Sequence, residues 1–189
     1  MHAYAPRMKA DKSFEEQAKE FNLDGRNIEL VSRDEIKLKY KRVVWERNSE
    51  LIRNMLEEDD GEDEVPSIPI PNVDSDVLAT IYEFYLQHIN DKKYDGKYFV
   101  IPTSYHGVEL MHLDGVTEWD VKFLDFTLKD KSIFRILEAA NYLNCRDILA
   151  IICAYLASRI NSASIDELRD DFGVSSFDDD VIGMDWIIQ

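Results

Sequence analysis

Apolar residues recur at helical spacing through Lys129 to Leu143, where Ile133, Ile136, Leu137, Ala140, Tyr142 and Leu143 fall on one broad side of a predicted helix. The next segment, Arg146 to Ile160, carries two such stripes. Ile148, Ile151, Ile152 and Tyr155 form one; Leu149, Cys153, Leu156 and Ile160 form the other, at spacings of four, three and four. One core covers one stripe. A helix that is apolar over most of its circumference is either central in a large fold or lends a face to another chain. Downstream, Ser164-Ile165-Asp166-Glu167 has the pattern of a capping box, in which serine and glutamate each satisfy the other's backbone N–H. It predicts a helix from Ile165 to Phe172, stopped by Gly173. Leu168 and Phe172 share a face of that helix, with Val174 just beyond.

Upstream the period changes. Ile28 to Val31 and the alternating run Lys37 to Lys41, with Leu38 and Tyr40 inward, predict two strands paired as a hairpin around Ser32 to Glu35. Asn48 to Glu57 reads as a helix with Leu51, Ile52, Met55 and Leu56 on one face, and seven of the eight residues from Glu57 to Glu64 are acidic, which predicts a solvated loop. The alternating ligand spacing of a calcium loop is missing from that run. Ile68-Pro69-Ile70-Pro71 is expected as an edge strand or extended connector, because neither proline donates a ladder hydrogen bond. Asp74 or Ser75 then caps a helix reaching about Ile89, with Leu78, Ile81, Tyr82 and Tyr85 inward. Residues 91–117 carry three glycines among apolar runs, a pattern that fits a hairpin or a locally packed flap. A short helix from Ser13 to Phe21 is expected within an N-terminal appendage.

Length, composition and charge narrow the function. A chain of 189 residues with 45% hydrophobic and 11% aromatic content is globular. Its net charge of −16 argues against sequence-independent nucleic-acid binding and favours basic protein partners. Cys145 and Cys153 lie too far apart on a helix for a disulfide, which points to a reducing compartment. The longest apolar run, Ile148 to Ala157, is far short of the roughly 20 residues that span a bilayer, so no membrane association is expected. Met1 to Met8 lacks a signal-peptide core, and the expected setting is cytoplasm and nucleus.

No catalytic constellation emerges, and neither an enzymatic activity nor a cofactor is expected. His106 and His112 have no cysteine at zinc spacing beside them, so no metal site is predicted. Cys153 sits on an apolar stripe as a small hydrophobe. What remains is binding. Leu149, Cys153, Leu156, Ile160, Leu168, Phe172 and Val174 either bury a helical ligand, with Phe172 as aromatic anchor, or are covered by the C-terminal helix folding back within one chain.

The ordered set Ile28-Glu29-Leu30, Met55 to Glu58, Ile70 to Val73, Trp119-Asp120, Phe123-Leu124, Phe134, Ile136-Leu137, Ala139 to Leu143, Leu149, Cys153 and Leu168 to Phe172 resembles the S-phase-kinase-associated (Skp) adaptor family of SCF ubiquitin ligases. The similarity covers roughly residues 27 to 174. It implies an α/β BTB/POZ fold, a small mixed sheet covered by helices, followed by C-terminal helices that interlock with F-box proteins. The implied organisation is an appendage over 1–26, a BTB/POZ domain over 27–128 with an insert near 91–117, and a dimerisation and F-box-binding helical region over 129–189.

By position, Leu149, Cys153, Leu156, Ile160, Leu168, Phe172 and Val174 match family residues that face the F-box, and Asn141 and Tyr142 match the pair that touches the cullin scaffold. The alternative for Asn141 is a buried amide bonded to backbone. The implied function is a non-catalytic adaptor of a cullin-RING E3 ligase, bridging F-box substrate receptors to the cullin in ubiquitin-dependent degradation, with a homodimer as the unpartnered form. A Skp-like scaffold in a non-ligase F-box or kinetochore-type assembly is the competing reading; an elongin-C-like adaptor is disfavoured by the extension past Ile160.

The chain departs from the family pattern in four places. The first hairpin lacks the family's glycine, since Glu35 directly follows Asp34. Ser164-Ile165 replaces a frequent Thr-Pro. The 91–117 stretch is richer in apolar residues than the family's polar loop, and Phe177 and Trp186 are only nine residues apart, so the last helix is shortened.

Overall fold

Alternation of Ile28, Leu30, Leu38 and Tyr40 builds the first unit of structure, a hairpin of β1 (Asn27–Val31) and β2 (Lys37–Lys41). Its antiparallel register sets Ile28 opposite Tyr40 and Leu30 opposite Leu38, putting one apolar face toward the core. The turn is closed by Ser32, whose hydroxyl donates to the Ile36 carbonyl at 3.0 Å and accepts the Ile36 N–H at 3.2 Å. Glu35 takes a left-handed conformation there, with φ 61°. The computed structural model describes residues 25–57, 65–91 and 116–173. The expected helix at 13–21, nearly all of the acidic run, the flap of 91–117 except its ends, His106, His112, Val174 and the tail lie outside them.

A third strand, β3 (Ser67–Pro69), lies parallel to β1 with Ile68 opposite Leu30, giving the sheet order β2-β1-β3. Pro69 is tolerated because β3 is an edge, as its missing N–H requires. Directly after β2 the chain turns into helix α1 (Arg42–Asn48), which buries Val44, Trp45 and Asn48. This helix was not expected. The predicted helix from Asn48 begins two residues later, as α2 (Glu50–Glu57). The break falls at Ser49, whose hydroxyl accepts the Ile52 N–H at 3.2 Å and donates to the Leu143 carbonyl at 2.7 Å.

Helix α3 (Ser75–Gln87) follows the predicted position and ends two residues short of Ile89. Its cap comes from elsewhere. The Asp74 carboxylate makes no capping bond, being held by Arg33 at 2.5 Å and Arg135 at 2.9 Å. Asp34, across from it on the hairpin turn, accepts the Ser75 N–H at 2.9 Å and the Ser75 hydroxyl at 2.6 Å. Hydrogen bonding to Ser32, together with these bonds to Ser75, lowers its carboxyl to about 2.

The helix predicted over 129–143 begins later, at Ile133, and a further helix that was not predicted precedes it. Helix α4 (Glu118–Lys129) starts with a capping box between Thr117 and Asp120, and α5 (Ile133–Tyr142) follows a turn in which Lys131 has φ 65°. Asp130 accepts the Ser132 N–H at 2.9 Å and closes the turn. Helices α6 (Arg146–Ser162) and α7 (Ile165–Phe172) complete the described chain. A continuous core runs from Ile28 and Leu30 in the sheet through Trp45, Phe84 and Phe123 to Ile148 and Tyr155. Aromatic rings organise it at two points: Tyr40 lies 4.3 Å from Tyr82, and Trp119 stacks 5.3 Å from Phe123.

Candidate functional site

The two stripes of helix α6 differ in burial. Ile148, Ile151, Ile152 and Tyr155 are buried, as are Ala150 and Ala154. The Tyr155 hydroxyl donates to Asp125 on α4 at 2.5 Å, and burial together with this bond raises its pKa. Among the described residues the other stripe is only partly covered. Leu149 and Leu156 are half-buried, Cys153 is exposed, and Ile160 keeps 52% of its surface. The helix is therefore both a core element and a face.

Helix α7 does not close that face among the described residues. Its start has the expected box: Glu167 accepts the Ser164 N–H at 2.8 Å and its own N–H donates to the Ser164 hydroxyl at 3.4 Å. Its end is Gly173 in a left-handed conformation, φ 70°. None of its residues is buried; Leu168 and Phe172 are half-buried, and Ile165 is 65% exposed. What holds it is concentrated in its last turn. Arg159 of α6 reaches Asp171 at 2.5 Å through Nη2 and at 3.0 Å through Nε. The Phe172 ring lies 5.7 Å from Phe134 of α5, and Lys131 donates to the carbonyl oxygens of Asp170 and Asp171. Six of the seven predicted groove residues thus lie on two helices joined by one short turn and one ion pair. Phe172, expected as a free aromatic anchor, already meets the Phe134 ring.

The second predicted surface lies at the end of α5. Asn141 is exposed and Tyr142 half-buried, which removes the alternative of a buried amide. The ledge is braced from α2: Glu50 accepts from Asn144 at 2.5 Å and from Arg146 at 2.8 Å. Asn144 turns the chain with φ 51°, a conformation that asparagine tolerates better than most residues.

Chemistry other than binding has little support. Burial pushes the Cys145 thiol up to about 12 and raises Cys153 as well, the opposite of what activates a thiolate. Among the described residues no group of three or more His, Cys, Asp or Glu side chains is placed to hold a metal, and no helix is long and apolar enough to cross a membrane. One buried ionisable pair escaped the sequence reading. His88, at the end of α3, meets Asp120, in the first turn of α4, at 2.7 Å. Burial raises the Asp120 carboxyl, but the bond to His88 and the Thr117 N–H outweigh it and hold it below its ordinary value. With exposures of 4% and 0% the pair faces no substrate, and it joins two helices. The only sequence signal was Thr117-Glu118-Trp119-Asp120, the start of a capping box.

The Skp1 family tetramerisation domain matches residues 26–90, the hairpin, β3 and helices α1 to α3. An E3 ubiquitin ligase complex SCF subunit sconC from Talaromyces stipitatus is 34% identical over 149 residues, covering 79% of this chain and 85% of that protein. The suppressor of kinetochore protein 1 of Schizosaccharomyces pombe is 35% identical over 147 residues, covering 78% and 84%. The S-phase kinase-associated protein 1 homolog of Tetrahymena thermophila is 34% identical over 129 residues, covering 68% and 70%.

Proposed function

The chain belongs to the Skp1 family, and from that premise we propose that it is the adaptor subunit of an SCF-type cullin-RING E3 ubiquitin ligase, bridging F-box substrate receptors to the cullin scaffold. The observation that carries the reading is the partly exposed stripe Leu149, Cys153, Leu156 and Ile160 on a helix whose other stripe is core. A partly exposed apolar row at helical spacing fits the apolar face of a partner helix. Leu168 and Phe172 extend that surface, and Val174 continues it in sequence. Asn141 and Tyr142 form the cullin-facing ledge in this reading; the exposure of Asn141 and the bracing of the turn that follows by Glu50 support it.

The adaptor performs no chemistry in this role. It holds receptor and scaffold in one assembly, so that substrate and charged ubiquitin carrier meet at high effective concentration. The setting we infer is the cytoplasm and nucleus, where an exposed thiol such as Cys153 stays reduced. Nucleic acid and membrane have no place in the scheme. Unpartnered chains pair with each other, a reading supported by the description of the matched region as a tetramerisation domain.

The test is co-purification of the full chain with a consensus F-box fragment and a cullin N-terminal domain, read by size-exclusion chromatography with light scattering. A ternary complex is expected. F-box binding without cullin would favour the non-ligase scaffold, and a homodimer that takes up neither would sink the adaptor reading.

A further inference from the structure

Helix α7 carries two of the seven predicted groove residues, Leu168 and Phe172, yet has little to hold it. It is eight residues long with no buried side chain, well below the roughly 12–15 residues at which an isolated helix becomes stable in water. Its N-terminal groups are satisfied by the Ser164 box. At the other end, the Gly173 N–H returns to the Arg169 carbonyl, which leaves the carbonyls of Asp170 and Asp171 among the orphans of the last turn. Lys131 donates to both of these oxygens, from the turn between α4 and α5.

The backbone at Lys131 makes this contact informative. With φ 65° it occupies a conformation that glycine adopts without steric cost and a residue bearing a Cβ does not. Shape alone is met by glycine. Lysine adds an ammonium with three donors and a positive charge, which suits the negative end of a helix.

We propose that Lys131 is a positioning residue for the partner groove, setting the angle at which α7 stands against α6 by clamping its last turn. The proposal rests on the adaptor reading for its effect on binding, while the clamp itself does not. Arg159 and Phe134 brace the same turn from α6 and α5, so loss of Lys131 loosens α7 without releasing it.

The variants Lys131→Gly and Lys131→Arg of the full chain test this, by calorimetric titration with a consensus F-box fragment and by hydrogen exchange of the unbound protein. In Lys131→Gly, affinity falls roughly two- to fivefold, the range expected of a cation at a helix C-terminus, and amides of residues 168–172 exchange faster by a similar factor. Thermal stability of the whole chain is unchanged or raised, because the left-handed turn is relieved. Lys131→Arg restores both affinity and protection. Parental affinity and exchange in Lys131→Gly overturn the proposal, as does a uniform rise in exchange with a fall in melting temperature. A parent chain that binds no F-box fragment overturns the adaptor reading instead, and exchange at 168–172 then decides the clamp by itself.

Discussion

Glu35, Lys131 and Asn144 hold left-handed backbone among the described residues, and they do so for different returns. Asn144 donates to Glu50 and Lys131 to α7, whereas Glu35 is exposed in a hairpin turn already closed by Ser32. Replacing it with glycine removes the steric conflict at the cost of a more flexible unfolded chain. Glu35→Gly is therefore expected to stabilise by about 0.5–1 kcal/mol, visible as a higher urea midpoint with an unchanged slope. Asp120 has the opposite weight. Its folded carboxyl lies below the ordinary 3.8, so its contribution is fully present above that value and is lost as pH falls through the lowered one. Asp120→Asn should cost roughly 2 kcal/mol at neutral pH, since a charged buried hydrogen bond is lost. That gap between parent and variant should narrow below pH 3.8 in thermal melts; a constant gap would assign the effect to shape.

Among elements, α6 and α7 were legible because their signals are local: a row of apolar residues at fixed spacing, and a box closed within four positions. Helix α1 was not. Val44, Trp45 and Asn48 are its only buried residues, too few to mark a period between a lysine-rich strand and Ser49. Helix α4 was missed for another reason, since the predicted helix was started at Lys129, inside the polar run Lys129-Asp130-Lys131-Ser132 that separates α4 from α5. The Arg159–Asp171 and His88–Asp120 pairs join different helices, and no spacing rule reaches them. Whether α7 and the end of α5 are separate surfaces is decided by two variants. Phe172→Ala, which removes the ring against Phe134, is expected to weaken F-box capture at least tenfold, on the scale of a truncated aromatic contact, and to spare cullin. Asn141→Lys is expected to do the reverse in the same co-purification. Equal loss of both partners in either variant would indicate unfolding.

For the molecule as a whole, one tie between early and late segments is the Leu143 carbonyl, which accepts the Ser49 hydroxyl at 2.7 Å and the Leu51 N–H at 3.4 Å. Nothing in the order of residues announces a bond across 94 positions. Ser49→Ala removes it together with the cap of α2, and is expected to destabilise by about 1–3 kcal/mol in urea denaturation. The same bond sets a timetable during synthesis. At about 5–20 residues per second, Ser49 is synthesised roughly 5–20 s before its acceptor, and the seats for α5 and α6 stand open until those helices are made. Until then the nascent sheet and its first helices lack the core partners that α5 and α6 supply, and the platform is complete only once its C-terminal helices have been made.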